Sequence, residues 1–519
     1  MELVERLNPS DNLTEADTQR SLRWMLRNGV AAQCMETLAL GPVLVAYALL
    51  FGASNLAIGL LAALPNLAQL ALIPAVQLVE RVRKRRLLAV AFGAASRPML
   101  LVMAAAALVP SADVGLAMIL VALTLRYGLG AFVGCAFNSW VRDLVPDHRM
   151  GTVFADRLMW MTAVGIVVSL AAGLFVDKWG QALPDWKAHG YALLLVLAFA
   201  AGCASVYFMS NMAEPAMPPA DGPVRLRERL AEPFRDGNFR NLVMFMGAWN
   251  FAINLAAPFF TVYLYKHLGL SVTMVTVLLV VSQATNVAVL RTWGRIADKV
   301  TNKSVLSVAA PLFVLSIFLW VFVTLPEESV ATVPLLVVIH VLAGLSTAGV
   351  TLASTNISLK LAPRGAAASY LSVSSLITAT AAGVAPVVGG LFADWFATRE
   401  LTLVLQWSDP DVHQDLVSIS LRHWDFFFVL ATVLGLMSLN LLRQVREVGE
   451  VKEEIVVAEL VATARQGMRN LTSVAGLRAA VVYPVELLYR RARLRRHMRR
   501  HRAETGAAPG APPPAHPET

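Results

Sequence analysis

About twelve apolar stretches, each near 20 residues long, run through this 519-residue chain and limit what it can fold into. A run of about 20 apolar residues is long enough to cross the hydrocarbon of a bilayer as one helix. Hydrophobic residues make up 57% of the chain and charged residues 15%. Soluble domains carry about 25% charge, so a string of ordinary soluble domains is excluded. The three cysteines, Cys34, Cys135 and Cys203, all lie inside apolar stretches, which excludes a secreted scaffold held by disulfides. Residues 1–28 mix acids, bases and Trp24 ahead of the first apolar run, so no cleavable signal peptide is read there.

Spans are predicted at 30–52, 56–79, 87–109, 115–138, 158–176 and 190–210, then at 241–264, 273–291, 305–324, 333–355, 370–393 and 425–442. They divide the chain into a cytoplasmic N-terminal segment (1–29), an N-terminal six-helix bundle (30–210) and a proline-rich, charged cytoplasmic linker (211–240). A C-terminal six-helix bundle (241–442), an amphipathic and polybasic cytoplasmic tail (443–502) and a disordered end (503–519) follow. With the amino terminus inside, the internal loops hold 19 Lys and Arg against five in the external loops. Basic residues beside helix ends stay on the cytoplasmic side, so both termini are expected there, in a plasma (bacterial inner) membrane.

One offset of 217 residues relates the halves. It sets AFNSWVRDLVP (136–146) on ASTNISLKLAP (353–363) and GLFVD (173–177) on GLFAD (390–394). It also sets Asn66 and Gln69 of the second span on Gln283 and Asn286 of the eighth. A shared offset in three separated segments means two related halves in parallel arrangement. The expected fold is an all-α polytopic membrane protein with twelve transmembrane helices in two pseudo-symmetric six-helix bundles.

These features resemble the major facilitator superfamily over about residues 20–445. The superfamily's loop pattern Gly-x-x-x-Asp-Arg/Lys is matched by Gly294, Asp298, Lys299 and Lys303 in GRIADKVTNK. Its first-half counterpart is degenerate: Val76 replaces the Gly, Glu80 stands for the Asp, and Arg81, Lys84 and Arg85 supply the charge. Arg126 and Gly130 are similar to the Arg-x-x-x-Gly pattern of the fourth helix, with Leu129 where Gln is usual. Segments 52–65 and 249–263 look like a bacterial branch of permeases whose substrates are mostly unassigned. The fifth span reads GIVVSLAAGLF, without the Gly-Pro motif usual in drug and proton antiporters, which weakens an efflux reading.

The candidate site residues fall in two groups. Ionisable groups at membrane depth are costly and are functional candidates by default. Glu36 in the first span and Arg126 in the fourth belong to helices that line the cavity in the superfamily. The pair could carry proton coupling, fix the two helices together, or touch substrate. Arg97 in the third span suits packing or snorkelling, and His340 in the tenth suits a hydrogen-bonded helix histidine. Asn66 with Gln69, and Gln283 with Asn286, are spaced i, i+3; Asn250 and Asn254 are spaced i, i+4. Each pair shares one helix face and is expected along the central path. A conformational latch is expected from Glu80, Arg81, Gly294, Asp298 and Lys299. By the pseudo-twofold, Glu80 would sit against the start of the eleventh helix and Asp298 against that of the fifth, where helix ends favour a carboxylate. Pro42 and Tyr47, echoed by Pro258 and Tyr263, are expected to bend the first and seventh helices; glycines 383, 389 and 390 around Pro386 suggest a flexible eleventh helix.

Residues 455–477 carry a helical apolar stripe suited to a membrane face, and 490–502 hold eight arginines and no acid. Beside a cytoplasmic leaflet these point to anionic lipid rather than nucleic acid. The tail, 443–519, has 14 basic and 8 acidic residues, so it carries +6 of the net +9. No nucleotide loop, metal cluster or nucleophile with a base is read, so neither an enzyme nor a cofactor is expected. The expected function is a secondary-active transporter of a small solute by alternating access, coupled to protons, working as a monomer. An exporter or uniporter of the same fold, or a non-transporting receptor or scaffold, stands as the alternative; two arginines against one glutamate in the first half point to an anionic or zwitterionic solute, with a sugar or peptide as the other options. On this reading Asp298→Asn shifts the balance of inward and outward states, measured by cysteine accessibility on both faces.

Overall fold

The computed structural model describes residues 9, 13–146, 149–217, 233–323, 331–363, 367–409, 412–422, 424–447 and 456. Apart from 443–447 and 456, the predicted amphipathic and polybasic tail lies outside the described residues, as do 218–232 of the linker and the far C-terminal end. Residues up to 450 form one compact unit.

Among the described residues twelve helices are long and apolar enough to cross a membrane. In the first half they are α1 (Glu15–Leu50), α2 (Asn55–Val82), α3 (Arg85–Leu108), α4 (Ala112–Leu144), α5 (Met150–Ala182) and α6 (Pro184–Ser210). In the second half they are α7 (Gly237–Lys266), α8 (Val272–Lys299), α9 (Asn302–Phe322), α10 (Thr332–Leu361), α11 (Ala367–Phe396) and α12 (Trp424–Leu442). Several run well past the predicted spans, because polar turns continue the helix beyond the apolar run that marks a crossing. The face carrying the start of α1 and the end of α12 is called the terminal face here, and the opposite one the distal face.

The membrane part is all-α. The distal connection between α11 and α12 adds an antiparallel hairpin, β1 (Glu400–Asp409) and β2 (Val412–Arg422), with a register shift at Leu405/Gln406. No element was expected there, although LTLVLQW and VSISL alternate apolar and polar residues with the period of a strand.

Helix starts are written in the sequence. Ser54 caps α2 by accepting from Ala57 N, and Ser271 caps α8 by accepting from Met274 N, the same position at the 217 offset. The first helix is interrupted at Leu40 and Gly41, whose φ of 62° suits glycine, and resumes at Pro42. Its repeat partner α7 runs through Pro258 unbroken, so the two echoed prolines act differently.

Within the first half α1 packs on α5 and α6, and α3 on α4; within the second, α7 packs on α11 and α12, and α10 on α8 and α9. Across the seam α2 lies along α11, and α5 meets α8. Glycines set that approach. A Cβ on Gly59 would stand 2.2 Å from the Pro386 carbonyl oxygen, and one on Gly390 would stand 2.6 Å from that of Asn55. Gly383 likewise faces Leu67, and Gly389 faces the Leu255 carbonyl, so these glycines serve close packing of α11 against α2 and α7. Overpacking of this kind costs about 1–3 kcal/mol. Gly59→Ala is therefore expected to lower the melting temperature in detergent. Gly128→Ala, where an added Cβ meets open space, should leave it unchanged or raise it.

Candidate functional site

The distal seam is closed by two carboxylates placed by the repeat. Asp177, near the end of α5, accepts from Val272 N at 3.1 Å and Thr273 N at 2.8 Å, the first two residues of α8. Asp394, near the end of α11, accepts from Asn55 N at 3.2 Å and Leu56 N at 3.1 Å, the first two of α2. Residues 55 and 56 map onto 272 and 273 by the same 217 offset that maps Asp177 onto Asp394. With the serine caps, each helix has its first three free N–H groups taken, two of them by the opposite half of the molecule. Tyr265 adds a third tie, its hydroxyl donating to the Pro42 carbonyl at 3.2 Å where α1 resumes. A cavity of about 500 Å³ opens beside the Asp177 tie, lined by Lys187, Tyr191, Tyr265 and Lys266 among others. Asp177 and Asp394 were visible in the sequence only as the ends of GLFVD and GLFAD; the repeat was the signal, and their role was not.

At membrane depth the structure joins the predicted charges. Arg126 Nη2 bonds Glu36 Oε1, tying α4 to α1. The Arg126 side chain is 3% exposed and that of Glu36 39%. A half-exposed carboxylate at such depth must face protein or water, since lipid would not solvate it. The Arg126 guanidinium lies 5.1 Å from the ring centre of Tyr127, and its buried Nε has no hydrogen-bond partner. Arg97 is buried between α3 and α6, where Nη1 reaches Ser96 Oγ at 3.1 Å and Nε reaches the Gly202 carbonyl at 3.4 Å. A Cβ on Gly202 would stand 2.7 Å from Arg97 Cδ, so that glycine makes the room. Arg97 also lies within electrostatic reach of Arg126 and Glu36, which joins it to the cluster rather than to the lipid face. Arg157 was not singled out in sequence; it packs over Gly29 of α1 and stacks on Phe137, with a buried Nε that lacks a partner.

The amides divide. Asn66 donates to the Ala382 carbonyl at 3.4 Å, so it ties α2 to α11 across the seam. Asn250 and Asn254 donate along their own helix, to Met246 O and Asn250 O, both at 2.8 Å. Gln69 and Gln283 are exposed and Asn286 is half-buried. His340 bonds the Leu336 carbonyl one turn back at 2.7 Å and meets Trp320 edge-on, as a helix histidine does. Glu80 and Arg81 at the end of α2, and Asp298 and Lys299 at the end of α8, are exposed on the terminal face, with Gly294 half-buried a turn earlier. Residues 364–366, at the start of the stretch expected opposite Glu80, lie outside the described residues.

The terminal face carries a second pair of caps, each inside one half. Glu214 accepts from Arg85 N at 2.6 Å and Arg86 N at 3.0 Å, the first turn of α3. Glu447 accepts from Lys303 N at 2.8 Å and Asn302 Nδ2 at 3.1 Å, the matching turn of α9. The accompanying cation has moved between halves. In the first, Arg85 of α3 reaches Asp143 of α4 at 2.5 Å; in the second, Lys360 stands at the position of Asp143 and reaches Glu447 at 3.2 Å. Arg85 also donates to Ser139 O of α4 and to Pro215 O, Arg86 to Met212 O and Arg83 to Met217 O, so three of the five basic residues of RVRKRR bind the chain leaving α6. Burial pushes the Glu214 carboxyl above the ordinary glutamate value, against the pull of the Arg86 and Arg85 N–H groups and the Arg85 guanidinium.

Two halves of six membrane-length helices, meeting along a seam tied by reciprocal caps, have the build of a membrane transporter. The family model of the Major Facilitator Superfamily matches residues 241–490. A mutant of the nucleoside transporter NupG shares the fold with a TM-score of 0.61 at 13% identity, over 82% of this chain and 100% of that one. A bacterial homologue of the iron transporter ferroportin in an inward-facing state gives 0.59 at 11%, over 84% and 100%. A bacterial homologue of the lysosomal transporter Spinster, inward-facing and unoccupied, gives 0.52 at 16%, over 74% and 84%. No curated protein sequence matches the chain. The second half of the chain thus matches the Major Facilitator Superfamily model, and the chain as a whole shares the fold of these solved transporters, an integral, multi-pass membrane protein.

Removing one member of a buried ion pair costs about 3–5 kcal/mol. Glu214→Ala is expected to lose stability on that scale, measured by thermal unfolding of the purified protein. Because the folded-state pKa of Glu214 is raised, its titration favours the folded state at acid pH, and that advantage is lost as the pH rises through the folded value. Relative to Glu214→Gln, the wild type should therefore lose stability as the pH is raised from the ordinary glutamate range.

Proposed function

We propose that the protein is a secondary-active transporter that moves a small solute by alternating access, with the conformation described here being the one in which the distal gate is shut. The terminal face is the cytoplasmic one on the count of basic residues, so the shut gate is the outer gate. The reciprocal ties from Asp177 and Asp394 carry this reading. A carboxylate on a helix N-terminus is stabilising by about 0.3–1 kcal/mol when exposed and up to about 2 kcal/mol when partly buried. Two such contacts are strong enough to hold a seam and weak enough to break in each cycle. The Gly-x-x-x-Asp residues around Gly294 and Asp298, and the degenerate set around Glu80 and Arg81, supply the corresponding contacts on the cytoplasmic side when the carrier faces outward.

Coupling is assigned to Glu36. It is a half-exposed carboxylate at membrane depth, held by a buried guanidinium, so gaining a proton costs it an ion pair and frees Arg126. The solved structures of this fold include a nucleoside transporter and a homologue of an iron transporter, so the shared fold does not select a cargo. Asn66, Gln69, Asn250, Asn254, Gln283 and Asn286 are proposed as polar positions along the path beside the charge cluster.

The gate is tested by alkylation. In a background without Cys34, Cys135 and Cys203, Val272→Cys reports on the distal seam, where Val272 is buried. Adding Asp177→Asn and Asp394→Asn should raise its rate of labelling by a membrane-impermeant maleimide about tenfold, the equivalent of about 1.4 kcal/mol lost from the shut state. An unchanged rate would remove the gate and leave the carboxylates as ordinary helix caps; a receptor that never opens would behave this way.

A further inference from the structure

The first-half cluster carries more positive charge than it neutralises. Arg97 and Arg126 are both buried at membrane depth, and Glu36 is the carboxylate that faces them. A buried charge without a counter-ion is costly, and two guanidiniums against one carboxylate leave one charge uncompensated. The two arginines are held differently. Arg97 is anchored by Ser96 and Gly202 and contributes field. Arg126 is bonded to Glu36 through Nη2 and to the Tyr127 side chain, while its buried Nε has no partner, so one donor of a planar fork stands unused beside a displaceable group. A guanidinium fork matches two oxygens of one carboxylate or phosphate group, an arrangement a neutral solute or a cation does not offer.

We infer that the transported solute carries an oxyanion, a carboxylate or a phosphate, which takes Arg126 in place of Glu36. This rests on the transporter reading and gives it a substrate class. Glu36 is the resident counter-ion: it fills the site when the solute is absent, and it leaves Arg126 when it gains a proton. The groups that face it are Arg126 and Tyr127 from α4 and Arg97 from α3, while α6 brings Cys203 beside Arg97. Gln33 and Thr37 on α1 are bonded to each other at 3.2 Å. Arg157 of α5 lies about two turns away, over Gly29. Solute anion and proton therefore enter together, one on Arg126 and one on Glu36, with no change of net charge at the cluster.

The test uses full-length protein in detergent, with inorganic phosphate and acetate as probes and chloride at equal ionic strength as reference. Either oxyanion should raise the melting temperature above the chloride reference in the wild type. In Glu36→Gln the half-saturating concentration should fall about tenfold, because the competitor for Arg126 is gone. In Arg126→Gln the oxyanion effect should vanish. If Arg126→Gln does not fold, the sign of the Glu36→Gln effect decides alone. Melting temperatures in phosphate and acetate equal to those in chloride, in both wild type and Glu36→Gln, would overturn the inference, as would weaker binding in Glu36→Gln. Labelling of Val272→Cys separates the two readings: a responsive gate with no oxyanion effect sinks the substrate class and leaves the carrier standing.

Discussion

The first turn of a helix leaves N–H groups that the helix itself cannot satisfy, and at a membrane protein's packed ends water is not always there to take them. This protein answers with acidic side chains from other elements. Asp177 and Asp394 cap α8 and α2 on the distal face; Glu214 and Glu447 cap α3 and α9 on the terminal face. The four contacts share one chemistry and differ in where the carboxylate comes from. On the distal face it comes from the other half, so the contact ties the two halves together, as the proposed gate requires. On the terminal face it comes from the chain leaving the same half, so the contact is a clamp within that half. The proposed alternating access by rigid-body rocking needs such a division, with contacts that persist inside each half and contacts that break between them.

The repeat also shows what can drift. The cap on α3 and the cap on α9 are kept, yet the cation that supports them is Arg85 in one half and Lys360 in the other, opposite Asp143 and Glu447. An ion pair beside each cap is retained although neither residue pair is. The membrane cluster departs further. Glu36, Arg97 and Arg126 belong to the first half alone, and the second half offers His340, which is satisfied within its own helix. Symmetry therefore describes the gates and clamps, while the site chemistry is asymmetric. The proposed carrier cycle needs no more, since two halves can move alike around a solute that is not itself symmetric.

The membrane spans, the two halves and the 217-residue offset were legible in the sequence, because a bilayer admits only long apolar helices and a repeat leaves its period in the residues. The charged pair was legible for the same reason, since an ion at membrane depth stands out from its surroundings. The serine caps, the acidic ends of GLFVD and GLFAD, and the basic run before α3 were all present as letters. What those letters touch depends on contacts between positions hundreds of residues apart, such as Asp394 with Asn55. The tertiary structure alone made Asp177 and Asp394 reciprocal ties between the halves, chose packing over snorkelling for Arg97 and set it beside the charge cluster, and turned part of RVRKRR inward onto the chain after α6. It also gave Gly59, Gly383 and Gly390 their reason, which is close approach between helices rather than flexibility. Local pattern determined the helices and their number; the partners of each polar group were decided by packing, because a helix surface does not carry the identity of its neighbour.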